Sequence, residues 1–484
     1  MKESIYQTVC PGCGIGCGLY IREGDQGAIS IDFLKSNPVN LGKLCRFGMK
    51  LPHYYSSGAF IKADGPGSSM EDAIRDAAAR LKGAEKVAML SVGNTTCEEH
   101  IAFARIAETL GSVVNTGIQV YSRVPSECQS SLEGMPFRDI EHANKIILFI
   151  DPYVQYPLLV RRLLAAKRNN SHIISVGTKE LHLADENLSL APEQYGQLGL
   201  DNNSVIITDL HPHTDANDIG QLMNLSLATG AKILAMKPFV NSEGVNRLSK
   251  VKTDAHGLSQ LMDYIKKGNI KTLLLLDSDP IELMPDSDET MESLKKLDNL
   301  IVISSRKSPV TEIADVVIST EPLYRKAGTF MNCEGRLQEN SGTDFIGINA
   351  LSSLNKELGS EEFGYEQLHE QVKAALAKEV PKSGLSKVEN LVTAPQCTDG
   401  RVLKYLYNPF MWFNQPDDND FVLINLNLVK DLKLKKGGKI SLTSDKGTIK
   451  MRYSIEKLPD GLILTARKLP ISSSNLTNVK VEGS

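Results

Sequence analysis

The chain has 484 residues and a formal net charge of −4 from 54 basic and 58 acidic residues, so bulk charge favours neither nucleic acid nor an anionic membrane. Hydrophobic content of 41% and charged content of 23% are ordinary for a globular protein of several domains, and aromatic content of 6% with one tryptophan, Trp412, argues against a carbohydrate- or base-stacking platform. No apolar run approaches bilayer-spanning length, and Met1–Gln7 shows neither an apolar leader nor a twin arginine, so the expectation is a cytoplasmic chain with no membrane span and no nucleic-acid partner.

Residues 1–55 read as a small glycine-rich lobe with short strands near Leu19–Ile21 and Ile29–Phe33. It carries Cys10, Cys13 and Cys17 in a C-x2-C-x3-C run, with Cys45 well downstream. Four thiolates are what a cubane [4Fe–4S] cluster needs, one per iron. Gly12, Gly14, Gly16 and Gly18 let the backbone wrap closely and aim N–H groups at sulfur. A structural zinc also takes four cysteines but usually pairs two short knuckles, and Cys45 stands alone. Disulfides belong to oxidising compartments, and no secretory signal is evident. Cys97, Cys128, Cys333 and Cys397 are scattered and read as core or surface residues.

From about residue 66 the rhythm changes. Ser68 and Glu71 resemble a capping box opening a helix through Leu81. Val87–Val92 reads as a buried strand and Glu98–Leu110 as a helix. The alternation continues with strand Ile146–Ile150, helix Leu158–Lys167 and strand His172–Val176. It returns as strand Ile233–Met236, helix Leu258–Lys266, strand Thr272–Leu276, helix Met291–Leu297 and strands Leu300–Ile303 and Val316–Ile318. Such alternation means α/β layers over mostly parallel sheets, with ligands beyond the carboxyl ends of the strands. Residues 354–399 read as a helical linker, with an exposed helix ending near Pro381 and Gly384. After residue 400 the pattern turns β-like: Lys439–Thr443 and Thr448–Tyr453 form a hairpin across Ser444–Gly447, and Leu462–Ala466 adds a strand. The expected division is 1–55 cluster lobe, 56–353 two intertwined α/β halves, 354–399 linker and 400–484 a β-barrel.

In this order the parts resemble a molybdopterin oxidoreductase of the broad formate dehydrogenase type. The cysteine pattern is similar to that family's proximal cluster domain, and Cys45-Arg-Phe-Gly to the segment after its fourth cysteine. Glu312–Ile318 resembles its "ETAELADVVLP" strand, and Gly328–Gln338 its "GTFTNTEGRVQ" loop. Leu434–Gly447 resembles the barrel that closes over the pterin. The resemblance implies metal ligands Cys10, Cys13, Cys17 and Cys45 for a [4Fe–4S] cluster. It further implies a pterin pocket, vestigial or working, at Arg46, Asn241, Gly244, Gly328, Thr329, Asn332, Glu334, Gly335 and Arg336. Asn241–Gly244 is similar to the family's "N-x-Q-G", and Asp279-Pro280 to its "ENP" turn.

The departures matter as much. Where active members carry a cysteine, selenocysteine or serine on the metal, the alignment places Tyr121, with Ser122 one residue on and Cys128 seven on. Tyrosine is a poor substitute for a soft thiolate. The family's "GTD" triad is replaced by Pro192–Tyr195, and its "GSNP" loop by Asp151-Pro152-Tyr153, which sets a carboxylate near a phosphate position. No catalytic constellation stands out, and His211 and His213 read as exposed loop residues. The first reading is therefore an electron-transfer subunit, similar to the large iron–sulfur subunit of respiratory complex I, with a cluster but no molybdopterin or tungstopterin guanine dinucleotide. The alternative is a catalytic tungsten or molybdenum subunit of a formate or formylmethanofuran dehydrogenase, and a third reading is a zinc-stapled scaffold. In the first two the implied partners are redox subunits of ferredoxin-like, flavin or F420 type.

Overall fold

The computed structural model describes residues 3–24, 27–56, 69–124, 126–177, 179–249, 256–377, 388, 401–407, 421–435, 437–466, 468–473 and 476–483. Strands β1 (Ser4–Val9), β2 (Gly18–Glu23) and β3 (Ile29–Phe33) form an antiparallel N-terminal sheet. The Cys10–Cys17 segment is the loop of its first hairpin, closed by the Val9–Gly18 pair.

Ten strands follow: β4 (Val87–Ser91), β5 (Val114–Asn115), β6 (Lys145–Leu148), β7 (His172–Val176), β8 (Glu186–Leu188), β9 (Ser204–Asp209), β10 (Lys232–Met236), β11 (Thr272–Leu276), β12 (Asn299–Ser304) and β13 (Val316–Ser319). They sort into two all-parallel sheets, ordered β10-β9-β6-β7-β8 and β13-β12-β11-β4-β5. The chain starts the second sheet, leaves it to build the whole of the first, and returns. Both strand faces are covered, which is why Leu273–Leu276 and Ile301–Ile303 are unbroken apolar runs. In each sheet the strand order reverses once, between β6 and β9 and between β4 and β11, creating a crevice at the carboxyl ends.

Strands β14 (Ala327–Met331) and β15 (Leu337–Ser341) make a hairpin whose tip, Asn332–Arg336, reaches the cysteine loop. The tail is a nearly closed seven-stranded sheet of β16 (Val402–Tyr405), β17 (Phe421–Ile424), β18 (Lys439–Ser444), β19 (Gly447–Ile455), β20 (Leu462–Thr465), β21 (Leu476–Asn478) and β22 (Lys480–Gly483), in the order β21-β16-β20-β17-β19-β18-β22. It has its own core around Leu403, Val422, Ile440 and Ile463. The largest core is shared: Leu19 and Leu51 of the N-terminal lobe join Leu90, Leu148, Leu234 and Leu273 of both parallel sheets. The α/β expectation, the N-terminal lobe and the barrel-like tail all hold.

Three details differ from the sequence reading. The first long helix, Met70–Lys82, is capped by Ser69, whose hydroxyl accepts from the Asp72 N–H; Ser68 lies outside the described residues. The exposed helix expected after residue 354 is instead two helices, Ile346–Glu357 and Tyr365–Leu376. Leu354, Leu368 and Val372 are buried, because the apolar stripe of each helix packs on the helix Cys97–Thr109. Pro381, Gly384, Cys397 and Trp412 lie outside the described residues. His211 and His213 are not exposed: His211 stacks on Tyr407 at 4.2 Å, and His213 Nε2 lies 2.8 Å from the Leu283 carbonyl.

Candidate redox site

Four thiols converge at the N-terminal lobe. Cys10, Cys13 and Cys17 are buried and Cys45 is partly exposed, and all are unpaired. The hairpin loop is tight, with the Cys10 N–H on the Cys17 carbonyl at 2.7 Å and the Gly16 N–H on the Cys13 carbonyl at 3.2 Å. Gly16 sits at φ +68°, where a side chain is strained and would also press on Asn332 Cβ at 2.8 Å. Burial pushes the Cys10, Cys13 and Cys17 thiols up, and each of the three is raised further by neighbouring cysteines, Cys45 among them. Opposing that, the N–H of Gly12 is aimed at Cys10, that of Ile15 at Cys13, and those of Phe47 and Gly48 at Cys45. Donors pointed at buried sulfur suit a thiolate held by a metal centre.

Zinc asks for a different geometry. Tetrahedral Zn–S bonds of about 2.3 Å draw sulfurs to roughly 3.8 Å of one another. A cubane takes its thiolates more widely spaced, one at each iron corner. Four thiols, three on one tight loop and the fourth from Cys45, make up the donor set that a [4Fe–4S] cluster takes.

The loop is clamped by the β14–β15 hairpin. The Cys333 N–H donates to the Gly14 carbonyl at 2.8 Å, while the Gly14 N–H donates to the Lys237 carbonyl at 3.1 Å. Asn332 Nδ2 donates to the Ile15 carbonyl at 2.9 Å, and Gln338 Nε2 to the Gly16 carbonyl at 2.9 Å. Cys333, read from sequence as a bystander, is a fifth thiol at this loop: its Sγ accepts from the Lys237 N–H at 3.0 Å.

Most of the residues expected to line a pterin pocket are also knitted into this framework. Asn241 is fully buried; its Oδ1 accepts from the Met331 N–H at 2.8 Å and its Nδ2 donates to the Thr95 carbonyl at 2.8 Å. Gly244 lies so close that a Cβ would fall 2.2 Å from Asn241 Oδ1. Thr329 N–H and Oγ1 both donate to the Glu98 carboxylate, at 2.8 and 3.0 Å, and Gly328 at φ +147° makes room for that carboxylate. Glu334 accepts from the Phe137 N–H at 3.0 Å and from Arg336 Nε at 2.8 Å, while Gly335 takes a positive φ of 78° at the turn. Arg46 is exposed beside Cys45 rather than walled into the interior.

Tyr121, at the metal-ligand position, belongs to a buried ionic network. Lys237 Nζ lies 2.5 Å from Glu243 Oε2 and donates to the Leu132 carbonyl at 3.0 Å; Glu243 Oε1 accepts from Arg247 Nε at 2.6 Å. Burial pushes the Tyr121 phenol up, more than the neighbouring Lys237 ammonium lowers it, so it stays protonated. Burial works against the charge on Lys237, but Glu243 and Tyr121 outweigh it and hold it protonated. A neutral phenol beside an ammonium is a poor metal ligand. The Ser122 side chain lies outside the described residues, and Cys128 is buried.

Side chains of the chain pair with one another at both crevices. Between β6 and β9, Gln155 bridges the Asp151 N–H and Asp209 Oδ2, each at 2.7 Å, and Asp151 is paired with Lys179 at 2.9 Å. Between β4 and β11, Lys326 pairs with Glu99 at 2.7 Å and Asp277 at 2.9 Å, all three buried. A cavity of about 10 Å³ remains there, lined by Pro11, Asn94, Asp277 and Lys326 among others, with the buried Asn94 Oδ1 lacking a protein partner. That is room for about one water. The Pro192–Leu198 turn is closed by Tyr195 packed edge-on to Phe149 at 4.9 Å. Carboxylates thus stand at both switch points, Asp151 and Asp209 at one and Glu99 and Asp277 at the other.

The molybdopterin oxidoreductase family matches residues 71–351, more than half of the chain, and the Fe4S4 domain of molybdopterin oxidoreductases matches residues 3–57. The chain belongs to the molybdopterin oxidoreductase family. This family member is 22% identical over 480 residues to the F420-dependent formate dehydrogenase subunit alpha of Methanocaldococcus jannaschii, covering 91% of this chain and 63% of that one. It is 26% identical over 247 residues to a nitrate reductase of Klebsiella oxytoca, covering 46% of this chain and 28% of that one. It thus spans less than two thirds of the length of these curated relatives. Among solved structures, acetylene hydratase from Pelobacter acetylenicus superposes with a TM-score of 0.66 over 96% of this chain and 93% of that one, at 12% identity, a likeness of fold alone. Among the described residues no helix is long and apolar enough to cross a membrane.

Proposed function

We propose that this chain is the iron–sulfur relay subunit of a multisubunit redox complex, with a formate-dehydrogenase-like fold retained as scaffold. Cys10, Cys13, Cys17 and Cys45 would hold a [4Fe–4S] cluster, which supplies one-electron transfer when bound. The chain's own work is positional. The β14–β15 clamp fixes the loop, the N–H groups of Gly12, Ile15, Phe47 and Gly48 favour thiolate, and the packed lobe keeps water from three of the four sulfurs. The observation that carries the reading is the contrast at two positions: an intact four-cysteine site, and a protonated Tyr121 locked to Lys237 where a metal ligand belongs. We propose that no pterin is bound and that the two crevices are structural.

The relatives named as alpha subunits support partners in a complex, which we take to be ferredoxin-like and flavin- or F420-type subunits. Buried Cys10, Cys13, Cys17, Cys97 and Cys333 without a disulfide suit a reducing, cytoplasmic setting. Those same names favour a second reading, a catalytic molybdenum or tungsten subunit acting on formate. Reductive titration separates the two. Dithionite should bleach the visible absorbance of the anaerobically purified protein and give an electron paramagnetic resonance signal of one reduced cluster, while formate leaves the oxidised protein unchanged. Reduction by formate alone would overturn the relay reading in favour of the second.

A further inference from the structure

Two stretches near the cysteine site are basic without a single acid, in a chain whose net charge is −4. From Phe33 to Ser56 the sequence carries Lys35, Lys43, Arg46 and Lys50 and no Asp or Glu. From Pro152 to Lys179 it carries Arg161, Arg162, Lys167, Arg168 and Lys179, again with none. The fold brings the two together. The helix Leu159–Arg168 is bolted to the cysteine lobe, with Arg161 Nη1 donating to the Asn40 carbonyl at 2.9 Å and Arg162 Nη2 to the Pro38 carbonyl at 3.1 Å. Asn40 is itself tied to Gly18, next to Cys17, by paired hydrogen bonds of 3.0 Å.

At this seam lies an open groove of about 630 Å³. Leu41 and Leu164, respectively 48% and 46% exposed, form an apolar floor, and Arg161, Lys167 and Arg168 line it. Its one acid, Glu141, is neutralised by Arg162, and Lys167 is paired with Asp185 at 2.9 Å. Arg168 is exposed and has no ion pair among the described residues, and the same holds for Lys43, two residues beyond Leu41. An exposed apolar floor with uncompensated cations, on a helix tied through Asn40 to the end of the cysteine loop, has the make-up of a docking face for an anionic protein.

We propose that this groove seats an acidic iron–sulfur protein that exchanges one electron with the four-cysteine site. On docking, the reduced partner is oxidised by one electron and the cysteine-held centre is reduced by one; no proton or atom is transferred. The inference rests on the relay reading for its redox step but not for its binding step. Charge complementarity selects the partner: acid-free basic segments repel a basic protein and steer an acidic one.

The test uses the full chain, an acidic [2Fe–2S] ferredoxin as probe, and the double variant Lys43→Glu/Arg168→Glu, with Arg75→Glu on the distant helix Met70–Lys82 as control. Calorimetric titration with both proteins oxidised, so that no electron moves, measures binding alone. The expected result is affinity that falls at least tenfold between 50 and 300 mM salt and about tenfold on charge reversal, with the control unchanged, and a matching drop in the stopped-flow rate of electron transfer from reduced ferredoxin. Reduction by dithionite should proceed equally in all three proteins. Binding that ignores both salt and charge reversal, or an equal loss in the control, overturns the docking face. Failure of dithionite to reduce any of them overturns the relay reading while leaving the binding result to stand.

Discussion

The residues that decide the chemistry differ in how visible they are from sequence. The four cysteines announce themselves by spacing, and the structure brings their sulfurs together at one loop. Tyr121 is conspicuous by alignment, yet its partners Lys237, Glu243 and Arg247 come from segments more than a hundred residues away, so no local pattern betrays the ion network. The same is true of Lys326, which meets Glu99 across 227 positions and Asp277 across 49. Burial sets other groups where sequence gives no hint. Asp209, at the end of β9 and held by Gln155 with His211 at 3.9 Å, is pushed up to about 7. A carboxyl whose folded pKa is raised stabilises the fold when protonated, and that contribution is lost as pH climbs from about 4 through about 7. Asp209→Asn keeps an acceptor for Gln155 without the buried charge. It should raise stability at pH 8 by roughly 2–4 kcal/mol, with the advantage gone by pH 4 in denaturant titrations at the two values. An equal effect at both values would show that Asp209 titrates normally.

At the scale of elements, the alternation of strands and helices was readable because parallel strands buried on both faces are short apolar runs bounded by turns. Strand His172–Val176, helix Leu258–Lys266 and strand Thr272–Leu276 have the expected bounds. The segment after residue 354 was misread because its Glu, Lys and Ala content resembles an exposed helix, whereas a few leucines at helical spacing bury one face of each of two helices. The hairpin clamp was partly legible. The motif Gly328–Gln338 was seen, but its role as the element gripping the cysteine loop is a tertiary fact. That grip leaves no space at Gly14, where a Cβ would sit 2.3 Å from Cys333 Sγ and 2.4 Å from the Lys237 carbonyl oxygen. Gly14→Ala should therefore displace the loop and lower bound iron at least severalfold, read by iron and sulfide assay, while far-ultraviolet circular dichroism stays close to the parent. Full iron occupancy in that variant would mean the loop assembles independently of the clamp.

As a whole the molecule, a member of the molybdopterin oxidoreductase family, joins a cysteine lobe, two parallel sheets and a barrel-like tail. The cysteine lobe shares a core with both parallel sheets, so the cluster site is braced by the α/β body. At the two switch points the chain's own carboxylates, amides and ammonium groups pair with one another. The barrel-like tail is tied to the same body through Lys468, whose Nζ donates to the Ile281 carbonyl at 2.5 Å, and through Tyr407 on His211. The central claim is a cluster without a metal–pterin centre. Elemental analysis of the anaerobically purified protein for iron, molybdenum and tungsten, with extraction and fluorescence assay of pterin, tests it most directly. About four irons per chain with neither heavy metal nor pterin is the predicted result; stoichiometric molybdenum or tungsten with extractable pterin would contradict it.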